Sequence, residues 1–130
     1  ISGLTTPEKF RLALFANREV RSLLIADPKK IVSLAVLKNA RMNESEILHY
    51  AQRKNLSEEV IAAIAKDPKW QRHYPIRLAV VANPKTPLST ALSLLPQLQE
   101  RDLKNLCRDK NVVPVLRRRA QELCAARNHK

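Results

Sequence analysis

A six-residue phrase, Leu-Ala-aliphatic-hydrophobic-x-Asn, returns three times in this chain, at Leu12 to Asn17, Leu34 to Asn39 and Leu78 to Asn83. Looser copies end at Asn55 (from Tyr50) and Asn111 (from Leu106). A second phrase, aliphatic-Ala-(x)-Asp-Pro-Lys, occurs at Ile25 to Lys29 and at Ile64 to Lys69. Repeats of this size bury too little apolar surface alone and must stack on their neighbours. The repeat therefore predicts an α-solenoid, an architecture that binds partners along a surface.

Composition agrees with helices. Of 130 residues 45% are hydrophobic but only 4% aromatic, and Gly3 is the sole glycine. A sheet protein or a nucleotide-binding α/β fold needs more aromatic and β-branched residues and more turn glycines. Alanine and leucine with many charges and eight prolines suit short capped helices. No apolar run approaches the ~18 residues that span a bilayer. Cys107 and Cys124 are too few for a disulfide scaffold. They are expected on helix faces as small apolar residues, with a bridge between them as the alternative. The expected compartment is the cytosol. The chain starts at Ile1 and its only methionine is Met42, so a fragment of a longer protein, forming one domain over 1–130, is expected.

Proline and capping side chains divide the chain. Thr6-Pro7, Asp27-Pro28, Asp67-Pro68 and Thr86-Pro87 each place a capping side chain before a proline suited to the first helical position. Asn43 with Glu46 reads as a capping box, and Ser57 as a further N-cap. The recurrent asparagines fall where helices should stop, and they predict left-handed C-terminal caps in place of the missing glycines. The resulting expectation is nine short helices, near 7–16, 18–26, 28–38, 44–54, 58–66, 75–82, 87–95, 100–109 and 113–127. Apolar stripes lie along Val60, Ile61, Ile64 and Ala65, along Leu78, Val81 and Ala82, and along Leu116, Ala120, Leu123 and Cys124.

The run Leu78-Ala79-Val80-Val81-Ala82-Asn83-Pro84-Lys85-Thr86-Pro87, with the two Asp-Pro-Lys turns, resembles the leucine-rich repeat variant family. That family is a HEAT-like bacterial helical solenoid, and the likeness covers about residues 12 to 95. It implies the fold and a generic binding role. The spacing departs from the family, at 22 and then 44 residues, and the N-terminal cysteine cluster of its iron–sulfur members has no counterpart. No cofactor is expected.

Net charge is +12, and the last thirty residues carry nine Lys/Arg against Asp102, Asp109 and Glu122. Such an excess bears on partners and solubility rather than on fold. The segment Trp70-Gln71-Arg72-His73-Tyr74-Pro75-Ile76-Arg77 interleaves aromatics with arginines, as a surface that stacks on bases and meets phosphates would. Its other reading is a long turn between repeats whose Trp70 and Tyr74 plug the core. A second candidate surface comprises Arg101, Lys104 and Arg108 with Arg117 and Arg119. Arg117, Arg118 and Arg119 span about 200° of a helix and cannot all face one partner. Arg118 and Arg119 are each spaced to pair with Glu122.

Catalysis is not expected. There is no glycine-rich phosphate loop and no nucleophile elbow, and His49, His73 and His129 are scattered. The resemblance leaves one enzymatic option, a HEAT-like DNA glycosylase, for which Asp67 beside Trp70 and Tyr74 is the sole candidate set. Asp67 is more simply an N-cap, as Asp27 is. The leading expectation is a non-catalytic binding module for a protein with an acidic surface or segment. The alternative is a nucleic-acid-binding module. A polyanion binder should gather its cations on one face, whereas a protein scaffold should expose an apolar groove.

Overall fold

The computed structural model describes residues 3–128; His129 lies outside them. Among the described residues there are ten α-helices, one 3₁₀ turn and no strand. The helices are α1 (Thr6–Phe15), α2 (Arg18–Leu24), α3 (Lys30–Val36), α4 (Glu44–Gln52), α5 (Glu58–Lys66), α6 (Pro68–Gln71), α7 (Tyr74–Ala82), α8 (Leu88–Leu94), α9 (Glu100–Arg108) and α10 (Pro114–Asn128). The 3₁₀ turn covers Leu95–Gln97. None of these helices is long and apolar enough to cross a membrane. The extra helix relative to the sequence expectation is α6, a single turn that Asp67 caps and Pro68 opens.

The main packing pairs join helices close in the chain: α1 with α3, α3 with α5, α4 with α7, α7 with α8, α8 with α10 and α9 with α10. The core between them is aliphatic, with Leu24, Ile25, Ile47, Leu56, Ile61, Ile64, Leu95 and Leu103 fully buried. All four residues of the Val60–Ala65 stripe are buried. In the Leu78–Ala82 stripe only Val81 is; Leu78 is half-buried and Ala82 exposed.

Several caps sit where the sequence places them. Asn43 accepts from the Glu46 amide, Ser57 from Val60 and Asp67 from Lys69. Others shift. The capping box of α1 is Thr5 with Glu8, which leaves Thr6 and Pro7 inside the helix. Asp27 closes a local turn on the Lys29 amide and pairs with Lys9 at 2.9 Å, while α3 begins only at Lys30. Thr86 donates its hydroxyl back to the Val80 carbonyl instead of capping α8. Glu46 does not close a box on Asn43, because its carboxylate is buried against Arg21: Arg21 Nε and Nη2 donate to the two Glu46 oxygens at 2.9 and 2.6 Å. The Tyr50 hydroxyl donates to the same carboxylate, and Arg21 Nη1 donates to the Ala16 carbonyl at 2.8 Å. This cluster fastens α2 to α4: each guanidinium nitrogen donates and both carboxylate oxygens accept, so the buried charges meet partners, the condition under which a buried ion pair is tolerated.

The asparagines are not left-handed caps, since no non-glycine residue has positive φ among the described residues. Asn39 and Asn83 are buried and act across the structure. Asn39 donates its side-chain amide to the carbonyls of Ala13 and Ala16 at 3.0 and 3.2 Å and accepts from the Arg41 amide. Asn83 repeats the pattern on the carbonyls of Ala51 and Arg53 at 2.7 and 2.9 Å and accepts from Lys85. Carbonyls at a helix C-terminus have no partner within their own helix, and each asparagine supplies donors to those of a neighbour, α1 or α4. Asn17 has no helix before α1 to reach among the described residues, and it N-caps α2 by accepting from Val20.

Candidate binding groove

Helices α4 and α7 meet along a seam pinned at one end by Asn83. The seam is lined by Leu48 and Ala51 from α4 and by Pro75, Leu78, Ala79 and Ala82 from α7. Three alanines where larger residues could sit leave an open depression of about 400 Å³. Gln52 and Lys54 border it on one side, and Asp109 and Asn111 reach in from the turn before α10.

The depression is one part of a longer strip. Leu48 and Pro75 also line a neighbouring concavity that runs to Glu44 and His73. There His73 Nδ1 lies 2.5 Å from a Glu44 carboxylate oxygen. At the other end Ala82, Asn83, Pro84 and Asn111 are shared with a smaller hollow walled by Leu88, Val113 and Leu116. Leu88 and Val113 are 41% and 43% exposed, so the strip ends in open apolar surface. Lysines gather beyond the Lys54–Asn55 turn, where Lys30 and Lys85 border a further hollow around Asn55.

The residues singled out from sequence fall elsewhere. Trp70 is buried, at 4% exposure, so its ring packs in the core and is not free to stack on a base. Lys69 covers one face of that ring, 4.8 Å from its centre. The Tyr74 hydroxyl donates to Asp102 and accepts from the Gln99 amide, which ties α7 to the start of α9. Burial, then the Asp102 carboxylate, pushes the Tyr74 phenol above its ordinary range. Arg77 lies over the Tyr74 ring at 5.5 Å and donates to the Gln71 carbonyl at 2.7 Å. Arg77 is thus engaged in holding the α6–α7 corner, and Tyr74 in holding α7 to α9. Arg72 is exposed, and of this segment only His73 with Pro75 and Ile76 borders the strip.

On α9, Arg101, Lys104 and Arg108 are exposed opposite the buried Leu103 and Leu106, with Lys104 paired to Glu100 at 3.3 Å. On α10, Arg119 pairs with Glu122 at 2.8 Å and Arg117 is half-buried. Asp67 is spent on the Lys69 amide, and the Tyr74 hydroxyl engages Asp102 rather than Asp67. Among the described residues no three His, Cys, Asp or Glu side chains converge as a metal site requires. No family model, no curated protein and no solved structure matches this chain.

Sequence reasoning did not find the groove. Its only visible signal was the alanine content of the repeat phrase, and Ala82 counted there as a core position.

Proposed function

We propose that this chain is a non-catalytic, HEAT-like repeat module of the leucine-rich-repeat-variant kind, which holds an extended acidic–apolar segment of another protein in the α4–α7 groove. The observation that carries this reading is the apolar strip itself, continuous from His73 to Val113 through Leu48, Pro75 and Ala82. Concave, mostly apolar sites with a few polar groups at the rim are where ligands are held. The nine residues of α7 run about 13 Å at 1.5 Å per residue, which accommodates roughly four residues of extended chain at ~3.3 Å each. Lys54 at the rim, Lys85 beyond it, and a net charge of +12 favour carboxylates beside the apolar anchors, while Lys30 is held by Glu59 at 2.7 Å.

The test is fluorescence anisotropy with labelled synthetic peptides that pair leucine or phenylalanine with glutamate, against the same peptides carrying lysine instead. The acidic set binds and the basic set does not. Ala82→Arg, which puts a bulky side chain into the groove from an exposed position, weakens binding at least tenfold without shifting the thermal midpoint. Single-stranded RNA or DNA binding as tightly as the peptides, and indifferent to Ala82→Arg, would replace this reading with the nucleic-acid one.

A further inference from the structure

The two cysteines stand 17 positions apart, on α9 and α10, yet their Sγ atoms lie 3.7 Å from each other. Both thiols are free and partly exposed. The same two helices are joined a turn away by Gln121, whose amide reaches the Cys107 carbonyl at 3.5 Å. Arg127 further fastens α10 by donating to the carbonyls of Leu98 and Pro96, both at 2.8 Å. The facing thiols are therefore held by fixed neighbours.

We infer that Cys107 and Cys124 form a reversible redox modification site, a dithiol that closes to an intramolecular disulfide with a glutathione-type disulfide as oxidant. One cysteine thiolate attacks a sulfur of the small disulfide and expels one small thiol, leaving a mixed disulfide. The second cysteine thiolate attacks the protein sulfur of that adduct and expels the second small thiol. The pair loses two electrons and two protons, and the small disulfide is reduced to two thiols. Closing requires the sulfurs to approach from 3.7 Å to about 2.05 Å. Burial, then the Cys124 thiol beside it, pushes the Cys107 thiol above its ordinary range. Attack by Cys107 is therefore slow at neutral pH, and it is proximity that favours ring closure over a lasting adduct.

The measurement is intact mass after alkylation of the reduced chain, equilibrated in buffers that range from reduced to oxidised glutathione. The expected product is a monomer lighter by two hydrogens that takes up no alkylating agent and reverts with reductant. A bridge across a loop of this length raises the thermal midpoint by about 10 °C, and Cys107→Ser and Cys124→Ser each abolish that rise. Persistent glutathione adducts on either cysteine, disulfide-linked dimers, or two alkylatable thiols in fully oxidised buffer would each overturn the inference.

Discussion

Asn83 donates to the carbonyl of Ala51 at 2.7 Å, joining residues 32 positions apart at the end where α4 and α7 converge. With the second bond to Arg53 and the amide of Lys85 received in return, one side chain satisfies three backbone groups. Asn83→Ala leaves them unpaired in a buried setting and is expected to cost about 2 kcal/mol, with Asn39→Ala close behind. Asn17→Ala removes only a helix N-cap and should cost about 1 kcal/mol. Urea unfolding of the three variants checks the order.

Breaking the Arg21–Glu46 pair from one side strands a charge in the core. Glu46→Gln or Arg21→Met alone is expected to destabilise by about 3–5 kcal/mol, whereas an apolar replacement of both partners recovers most of the loss. A double-mutant cycle on unfolding free energies measures the coupling.

Acid should loosen the same region. Burial raises the Glu46 carboxyl, but the hydrogen bonds from Arg21 and Tyr50 outweigh it and hold the group below its ordinary value of 4.5. Asp27, likewise raised by burial but lowered more by Lys9 and the Lys29 amide, sits below 3.8. Depressed folded-state values mean that the contribution to stability is complete above the unfolded values and is lost as pH falls through the folded ones. The thermal midpoint should therefore hold above about pH 5 and fall steadily below pH 4. Glu46→Gln, already weakened, should show a shallower decline.

Trp70→Ala opens a cavity in the core and should cost about 3–5 kcal/mol. Lys54→Glu, at the exposed rim, should leave stability within about 0.5 kcal/mol and reduce the affinity for acidic peptides, with a smaller loss at high salt. Thermal melts and peptide anisotropy on both variants separate the core role from the rim role.

The helical class was readable because one glycine and few aromatics leave little else to build, and helix starts were readable wherever a cap is purely local, as at Asn43, Ser57 and Asp67. The role of the asparagines was not. An amide side chain serves its own turn or a distant one with the same atoms, and only the arrival of α1 beside α3, or of α4 beside α7, decides. Glu46 shows the same competition: three residues after Asn43 it has the spacing of a capping box, yet Arg21, 25 residues back, claims it. The groove stayed hidden for a related reason, since its lining joins Ala51 to Ala79 and Ala82 across two helices, and a small residue leaves no mark of whether its neighbour fills the space beside it.

Because the main packing pairs stand no more than three helices apart in the chain, native contacts are closed by short loops that cost little chain entropy. A molecule wired this way has low contact order and is expected to fold on the fast, microsecond-to-millisecond side of the range for small domains. It also transmits damage poorly: a lesion at α1 weakens α3 at once, but must pass through several intervening helices before α10 feels it. The two ends can therefore lose order separately, and proteolysis or hydrogen exchange would see a chain that frays inward from its ends toward α4 and α7.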